Sequence, residues 1–319
     1  MLTPIPTSAD SVLISVNPKA GRSFPMLRSE SLCDHLRKKG LIAEIHTDLQ
    51  KVSEKANQLH SEGRLRALVG VGGDGTAAEL VNRTVPGLPI SLLPAGTANL
   101  IAKYLKIPSD PRKMADVIEQ GYYAVFDAGR ANDRLFLVML SAGIDADIVH
   151  KVDQKRHENY QSNSRKGAHI SYFSYIKPIF SSMFFYPYPE IKAKIEFQNE
   201  IEEKISRWAF VFNLPRYGWG LPLVPKCVGS DGKLDYCFFK GKNVFCSLLS
   251  VCFAQLGSLH RFLPGTKMGT GSAFTLSSDH EVPYQIDGDP GGFLPVKIEL
   301  IRNRFTVVAP EKSVRKYSK

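Results

Sequence analysis

A cluster of glycines around one carboxylate, Gly72-Gly73-Asp74-Gly75-Thr76, directly follows the apolar run Leu68–Val71. Glycines at the end of a strand permit positive φ angles and leave backbone N–H groups unobstructed. Together with the N-terminus of a following helix, such N–H groups form a cradle for an anion, typically phosphate. A carboxylate there would repel phosphate unless a divalent cation lay between them, and Mg²⁺ is commonly held by one or two carboxylates and substrate phosphates. The alternative is a tight turn in which Asp74 only caps the helix.

A second turn of the same kind, PAGTAN (Pro94–Asn99), follows the apolar run PISLLP and precedes another helical pattern. Its small or hydrogen-bonding residues are Gly96, Thr97 and Asn99. Two neighbouring parallel strands would then end in adjacent anion-compatible loops, as a nucleoside triphosphate requires. Neither turn matches the GxGxxG or Walker pattern. The alternative for the second turn is a simple helix cap at Thr97.

The elements that would position these turns alternate in type from Ser11 to about Gln120. Short apolar runs predict buried strands, and the segments between them predict helices near 25–39 and 53–62. The predicted strands are Ser11–Asn17, Ile42–Thr47, Leu65–Val71 and Pro89–Pro94. Apolar strands separated by helices indicate a parallel sheet covered on both faces. The fold class expected for this region is a doubly wound α/β domain, whose ligands bind beyond the carboxyl ends of the strands.

The pattern changes after Val125. Strand-like runs such as FLVML, KAKIEF, WAFVFN, LDYCFF and VKIELI dominate, and few helices are predicted. This pattern favours an antiparallel β-rich second domain, a sandwich or an irregular barrel. The linker is expected within Gly121–Arg134.

Composition restricts the class of protein. The 319 residues carry a formal net charge of +10, which favours anionic partners without choosing among them. Five cysteines form no CxxC pair, as expected of reduced thiols in the cytosol. No signal peptide is evident at the N-terminus, and the most apolar stretch, Val244–Leu256, falls short of the ~20 residues of a spanning helix. A cytoplasmic protein with peripheral membrane association is therefore expected.

An ordered set of motifs carries a family resemblance along almost the whole chain: NPKAG (17–21), GGDGT (72–76), PAGTAN (94–99), SAGIDADIV (141–149), SDGKLD (230–235) and IDGDPGG (286–292). GGDGT alone is shared with NAD kinases and phosphofructokinases. The complete set resembles the diacylglycerol kinase catalytic-domain family, in particular the bacterial soluble lipid kinases, which are kin to sphingosine and ceramide kinases. The resemblance implies an ATP-binding domain at 1–130, with residues from about 300 to 319 packing back on it, and a lipid-binding domain at 131–299.

The resemblance also implies roles for individual residues. The implied nucleotide contacts are Thr47, Gly72, Gly73, Asp74, Gly75, Thr76, Ala77, Ala78, Glu79, Thr97 and Asn99. Asp74 would belong to the Mg²⁺–ATP site, and Asp289 matches the position of the general base. A structural Mg²⁺ site would use the Asp231 carboxylate with backbone oxygens of Val228 and Lys233. The alternative for Asp231 is an ordinary turn between two strands.

Two positions depart from the pattern of the family. Many relatives read GTxND, whereas Leu100 follows Asn99 here, which removes a carboxylate from the metal site. The usual base is glutamate, whereas Asp289 is one methylene shorter. Either Asp74 with bound water suffices for Mg²⁺, or Asp287 or Asp289 compensates. Asp287 and Asp289 are expected to share one face of a strand-like segment.

An aromatic segment, Tyr172–Pro189, follows five basic residues. These are Lys151, Lys155, Arg156, Arg165 and Lys166. Cations beside amphipathic aromatic side chains suit an anionic membrane surface. The alternative is a core-facing helix beside a solvated, charged loop.

The function predicted from these residues is transfer of the γ-phosphoryl group of ATP to a lipid hydroxyl, with diacylglycerol converted to phosphatidate as the leading case. An NAD kinase is the first alternative, although the NE and TAYxxSAGG-type segments of that family have no counterpart here. A non-catalytic nucleotide- or lipid-binding regulatory protein is the second. Nucleic acid is not an expected partner, because the charge is not accompanied by a recognition motif. The sequence does not identify the lipid.

Overall fold

The computed structural model describes residues 4–17, 24–161, 178–179, 181–182, 184–218, 220–241, 243–257 and 259–317. Residues 18–21 of the NPKAG motif lie outside this range, as do residues 172–177 of the aromatic segment and the basic residues Arg165 and Lys166. The described part of the chain divides into two compact units. Unit 1 comprises Met1–Asp127 and Arg302–Lys319, and unit 2 comprises Ala128–Ile301.

The strands and helices are numbered here in chain order. The strands are β1 (Ser11–Val16), β2 (Ile42–His46), β3 (Leu65–Gly72), β4 (Pro89–Pro94), β5 (Tyr123–Ala131), β6 (Arg134–Phe136), β7 (Met139–Ala142), β8 (Ile191–Phe197), β9 (Glu200–Ser206), β10 (Trp208–Phe212), β11 (Leu234–Phe239), β12 (Thr266–Gly271), β13 (Ala273–Ser277), β14 (Pro283–Ile286), β15 (Asp289–Phe293) and β16 (Val296–Val308). The helices are α1 (Pro25–Lys38), α2 (Leu49–Ser61), α3 (Asp74–Arg83), α4 (Leu100–Leu105), α5 (Pro111–Gln120), α6 (Ile144–Gln161), α7 (Val244–Gln255), a 3₁₀ helix (Leu259–Phe262) and α8 (Glu311–Tyr317).

Unit 1 is built on a parallel sheet with the strand order β2-β1-β3-β4, and the end of β16 adds to β4. Every residue of β1 is buried, as is every residue of β3 except its last, Gly72. Strands that are apolar along their whole length are typical of a sheet covered on both faces. Helix α1 packs beside α5, and α2 packs beside α3. The doubly wound α/β fold expected from the sequence is confirmed.

Helices α2 and α5 of unit 1 begin where the sequence supplies a capping aspartate. The carboxylate of Asp48 accepts the backbone N–H of Lys51 at the start of α2, and Asp110 accepts that of Lys113 at the start of α5. Such caps satisfy N–H groups that a helix leaves without an internal partner. Helix α2 begins at Leu49, earlier than residue 53, where the sequence pattern placed its start.

Unit 2 contains two antiparallel sheets. One has the order β12-β11-β10-β7-β14-β15. In the other, β9, β8 and β13 are neighbours and the first half of β16 pairs with β13. Apolar side chains from both sheets form one core that includes Phe136, Phe238 and Phe274. The expected β-rich, sandwich-like second domain is confirmed.

Two helices of unit 2 were not predicted. Helix α6 carries charged residues around much of its surface, and α7 is apolar on most sides, so neither shows the one-sided pattern of an ordinary surface helix. In the part of the chain that the structure describes, no helix combines the length and apolar character needed to cross a membrane. The five cysteines are free; Cys33, Cys227 and Cys237 are buried, whereas Cys252 is exposed.

Candidate functional site

The first glycine turn lies at the carboxyl end of β3 in unit 1, where Gly73 is the N-cap of α3 and Asp74 is its first residue. The backbone folds so tightly that a Cβ at Gly72 would lie 2.1 Å from the hydroxyl oxygen of Thr76. No real Cβ approaches an atom this closely, so the position requires glycine. Gly72 does not adopt a left-handed φ, so crowding alone excludes a side chain at this position.

The second glycine turn lies at the carboxyl end of β4 and is closed by Asn99. The side-chain oxygen of Asn99 accepts the N–H of Gly96 at 3.1 Å, and its amide nitrogen donates to the Gly96 carbonyl at 2.7 Å. Asn99 adopts φ of 51°, a left-handed conformation that asparagine tolerates better than most residues. Asn99 therefore stabilises the conformation of this loop through hydrogen bonds within it.

Asp74 connects the two turns. Its two carboxylate oxygens accept the backbone N–H groups of Leu100 and Ile101, each at 2.9 Å. Asp74 thus caps α4, the helix of the second turn, although it is itself the first residue of α3. Burial raises the pKa of the Asp74 carboxyl, and the N–H groups of Ile101 and Leu100 act in the opposite direction. A distant backbone partner of this kind has no local signal in the sequence.

The two turns are also in direct backbone contact. The N–H of Ala95 donates to the Gly72 carbonyl at 2.9 Å. A Cβ at Gly96 would lie 2.5 Å from the Cα of Gly73, and a Cβ at Gly73 would lie 3.2 Å from the Cα of Gly96. The glycines therefore permit a contact between loops that any side chain would obstruct. The result is a surface of backbone and small groups at the carboxyl ends of β3 and β4.

The other nucleotide-contact candidates of unit 1 differ in exposure. Thr47 is exposed just after β2, and Thr97 is exposed in the second turn. Ala77 and Ala78 are buried inside the first turns of α3. Glu79 pairs with Arg83 one helical turn later, at 2.9 Å. The structure brings Gly72–Thr76 together with Thr97 and Asn99 through the contact between the turns, whereas Ala77 and Ala78 face the core.

In unit 2, Asp287 and Gly288 form the two-residue turn between β14 and β15. Their φ angles of 51° and 94° are those of the tight hairpin turn that an Asp-Gly pair favours. The Asp287 carboxylate accepts the backbone N–H groups of Leu137, Val138 and Met139 at 2.7–2.9 Å. The expectation that Asp287 and Asp289 share the face of one strand is therefore wrong, because a turn separates them. Asp287 instead anchors the start of β7.

Asp289, the candidate base, is the first residue of β15. An oxygen of its carboxylate lies 3.1 Å from a guanidinium nitrogen of Arg134, and about half of its side chain (48%) is exposed. Arg134 is the first residue of β6, next to the turn of the hairpin that β5 and β6 form. The ion pair holds the Asp289 carboxylate in one position and leaves part of it open to a reacting group.

A buried polar network in unit 2 centres on Asp145, within the SAGIDADIV motif. Its carboxylate accepts the indole N–H of Trp208 at 2.8 Å, and it also accepts the hydroxyl of Ser141. Gln285 donates to Ser141 Oγ at 2.7 Å. Burial raises the pKa of the Asp145 carboxyl, and these donors act against that shift. The motif was noticed in the sequence, but the role of Asp145 was missed because its partners lie on three different strands.

The candidate metal ligands lie in the turn before β11. The Asp231 carboxylate accepts the backbone N–H of Lys233 at 3.2 Å, and the Val228 carbonyl accepts the N–H groups of Ser230 and Asp231. A carbonyl oxygen has two lone pairs, so Val228 would have to release one of these hydrogen bonds to bind a metal. Burial raises the pKa of nearby Asp235 to about 6, and the negative charge of Asp231 adds to this.

Two neighbouring carboxylates favour a cation, and oxygen donors of this kind suit Mg²⁺. Among the described residues, however, no group of three or more His, Cys, Asp or Glu side chains is placed to hold a metal ion. The residues of this turn therefore fit a divalent cation only if backbone oxygens and water complete its shell. In unit 1, the surface of backbone and small groups formed by the two glycine turns fits a phosphate chain.

Comparison with known proteins agrees with this geometry. Residues 11–131 match the family model described as the diacylglycerol kinase catalytic domain. The resemblance to the diacylglycerol kinase catalytic-domain family is confirmed. The matched residues include both glycine turns and the Asp74 contact between them. The match to this family supports a kinase activity. The family model does not extend to Asp231 or Asp289.

Relatives and solved structures extend the comparison to most of the chain. A protein named diacylglycerol kinase from Staphylococcus aureus is 25% identical over 253 residues, which cover 77% of this chain and 75% of that protein. The crystal structure of a putative diacylglycerol kinase from Bacillus anthracis covers 97% of this chain and 98% of its own, with a TM-score of 0.72 and 18% identity. An NAD kinase from Archaeoglobus fulgidus, solved in complex with ATP, gives a TM-score of 0.50 at 12% identity. At these identities the solved structures show a shared fold.

Proposed function

We propose that this protein is an ATP-dependent lipid kinase that transfers the γ-phosphoryl group of ATP to a lipid hydroxyl, with diacylglycerol as acceptor and phosphatidate as product. Its place is the cytoplasm, at the surface of an anionic membrane that supplies the lipid, and its role is in phospholipid metabolism. ATP and Mg²⁺ are the proposed cofactors.

The observation that carries this proposal is the contact between the two glycine turns, with Asp74 capping α4. Ligands of doubly wound α/β folds bind at the carboxyl ends of the strands, where both turns lie. Gly73 and Gly96 allow close approach of a phosphate chain to the backbone, and the N-terminus of α3 favours negative charge. A nucleoside triphosphate is the ligand that best uses two such turns at once.

The reaction needs positioning and neutralisation of charge more than covalent chemistry. The loops of unit 1, with Thr47, Glu79 and Thr97 at their edges, would hold and orient the phosphates. When bound, Mg²⁺ would neutralise charge on the phosphates. Asp74 is the carboxylate of this chain that would hold it. Asp289, held by Arg134, would accept the proton of the lipid hydroxyl. The turn of Val228, Asp231 and Lys233 would hold a structural Mg²⁺.

The test is transfer of radiolabelled phosphate from ATP, with purified full-length protein and Mg²⁺, to a panel of acceptors in mixed micelles. The panel contains diacylglycerol, phosphatidylglycerol, ceramide and a sphingoid base, with NAD as a separate acceptor in solution. Labelled phosphatidate is the expected product. Labelled NADP without any labelled lipid would replace the proposal by an NAD kinase, whose fold the chain shares. Tight ATP binding with no labelled product would favour a regulatory protein.

A further inference from the structure

Helix α7 in unit 2 presents apolar side chains to solvent. Phe245, Leu248, Cys252 and Leu256 are exposed, with exposed fractions of 68%, 47% and 66% for Phe245, Leu248 and Leu256. Their spacing of three or four residues puts them on one side of a helix. Ser250 and Ala254, on the opposite side, are buried. The helix is thus inverted relative to a usual surface helix, with its larger apolar side chains outward.

The 3₁₀ helix that follows continues this apolar surface. Helix α7 packs against it, and its Leu259 and Phe262 are also exposed, Phe262 by 70%. The surface, here called the α7 face, consists of Phe245, Leu248, Cys252, Leu256, Leu259 and Phe262. Contiguous exposed apolar side chains of this number mark an interaction site more often than chance exposure.

The segment of the chain that contains the α7 face carries only basic charged residues. Between Asp235 and Asp279 the chain contains no Asp or Glu, but it contains Lys240, Lys242, Arg261 and Lys267. Lys240, Arg261 and Lys267 are exposed. The Arg261 guanidinium carbon lies 4.7 Å from the centre of the Phe262 ring, so a cation lies directly beside an exposed apolar side chain. Apolar anchors flanked by cations match the interface of an anionic bilayer.

Another exposed apolar pair in the same unit shows the contrast. Ile201 and Ile205 on β9 are exposed by 61% and 48%, but Glu200, Glu202 and Glu203 accompany them. Acidic side chains would be repelled by anionic lipid. A second copy of the chain is also a poor match for the α7 face, because a symmetric dimer would place its basic residues opposite one another. Charge therefore separates the α7 face from the exposed isoleucine pair on β9.

We infer that the α7 face docks on the surface of anionic lipid bilayers, with Phe245 and Phe262 inserted among the lipids and Arg261 and Lys267 at the headgroups. The inference rests on the proposed function for its purpose, since a lipid acceptor resides in a bilayer. It adds a membrane contact outside residues 172–189, where the aromatic segment of the sequence suggested one and where Phe184 and Phe185 are likewise exposed.

The experiment is co-sedimentation of the full-length protein with vesicles of phosphatidylcholine, alone or with phosphatidylglycerol. The protein binds the anionic vesicles, and binding weakens as salt is raised. The double variant Phe245→Ser/Phe262→Ser reduces partitioning by roughly tenfold or more, since each phenylalanine loses a buried apolar surface. Arg261→Gln/Lys267→Gln reduces binding to anionic vesicles and removes most of its salt dependence. The matched control, Ile201→Ser, binds as the parent does.

Circular dichroism and unfolding midpoints establish that the variants remain folded, as substitutions of exposed side chains should. Parent protein that does not sediment with anionic vesicles, or binding that the α7 variants leave unchanged, overturns the inference. A dimer of the parent that Phe245→Ser/Phe262→Ser converts to monomer, without vesicle binding, assigns the α7 face to a second copy instead.

Failure of this inference is distinguishable from failure of the proposed function. Phosphoryl transfer to a short-chain diacylglycerol dissolved as monomers should be the same in the parent and the α7 variants. Transfer to long-chain diacylglycerol in anionic vesicles should fall with vesicle binding. Vesicle binding that depends on the α7 face, in a protein that phosphorylates no lipid, would support the docking surface and contradict the proposed kinase activity.

Discussion

Asp289 is the residue on which the proposed proton transfer depends, and Arg134 holds its carboxylate in place. Asp289→Asn should leave ATP binding intact and lower turnover by roughly 10²–10⁴-fold, the usual contribution of a positioned proton acceptor. Asp289→Glu should stay active, because it restores the acid that is common among relatives. Steady-state kinetics with diacylglycerol, together with calorimetry of ATP binding, measure the two effects separately.

Asp287→Asn is the matched control for Asp289, two positions away and of the same chemistry. Its carboxylate binds three backbone N–H groups at the start of β7, so the variant should lose stability, by about 1–3 kcal/mol, and not proton transfer. If Asp287→Asn stops turnover in a folded protein while Asp289→Asn does not, the base has been assigned to the wrong residue.

Asp145 should make the stability of unit 2 depend on pH. Its pKa is raised above the ordinary value of 3.8 by burial, so the folded protein keeps a proton that the unfolded chain releases. The free energy of unfolding contributed by Asp145 is therefore highest below the ordinary pKa and falls as pH rises through the raised value. Asp145→Asn removes this dependence. Urea unfolding at several pH values from about 4 to 7 should show the parent's advantage over the variant shrinking as pH rises.

Glu203→Gln, which changes an exposed carboxylate of the same unit, serves as the control for Asp145. Its stability profile should run parallel to that of the parent. Parallel profiles for Asp145→Asn as well would show that the folded protein does not hold the extra proton.

At the level of elements, the contact between the two glycine turns predicts a graded steric effect. Gly96→Ala puts a Cβ 2.5 Å from the Cα of Gly73, whereas Gly73→Ala puts one 3.2 Å from the Cα of Gly96. Gly96→Ala should weaken ATP binding by about tenfold or more, since overpacking costs ~1–3 kcal/mol. Gly73→Ala should weaken it less. Calorimetric titration with ATP measures both, and equal ATP affinities in the parent and Gly96→Ala would remove the turns from the binding site.

Strands were easier to predict than the contacts between them. Strands β1, β3 and β4 of unit 1 are nearly continuous apolar runs, and the glycines after β3 and β4 mark the turns directly. The Asp74 cap on α4 could not be foreseen, because Asp74 and Leu100 are 26 residues apart and only the folded sheet brings them together.

The helices of unit 2 were missed for two different physical reasons. Helix α6 has acidic and basic residues on most sides and few apolar ones, so periodicity gives no buried stripe. Helix α7 is apolar on most sides, and its outward face carries phenylalanine and leucine where a surface helix normally carries charge. A pattern that assumes apolar residues point inward cannot recognise a helix whose apolar residues point out.

Across the whole molecule, the chain returns to unit 1 after unit 2, and Arg304 secures the returning strand. Its guanidinium donates to the carbonyls of Val81 and Thr84 at the end of α3, at 2.6 and 2.7 Å. Arg304→Met leaves both carbonyls without this partner and should lower the free energy of unfolding by about 2 kcal/mol. Arg302→Met, the same change at an exposed position two residues earlier, should alter it by less than about 0.5 kcal/mol. Chemical unfolding measures both, and equal losses would mean that the Arg304 hydrogen bonds do not stabilise the protein.

The late position of β16 in the sequence also determines when the sheet of unit 1 can be completed during synthesis on the ribosome. The part of β16 that pairs with β4 follows all of Ala128–Ile301 in the sequence. The β4 edge of the nascent sheet therefore stays unpaired until that part has been synthesised. At translation rates of about 5–20 residues per second, this wait lasts roughly ten to thirty seconds. The parallel sheet of unit 1 therefore gains the strand beside β4 only after Ala128–Ile301 has been synthesised. Partial chains that end before β16 expose an open β4 edge.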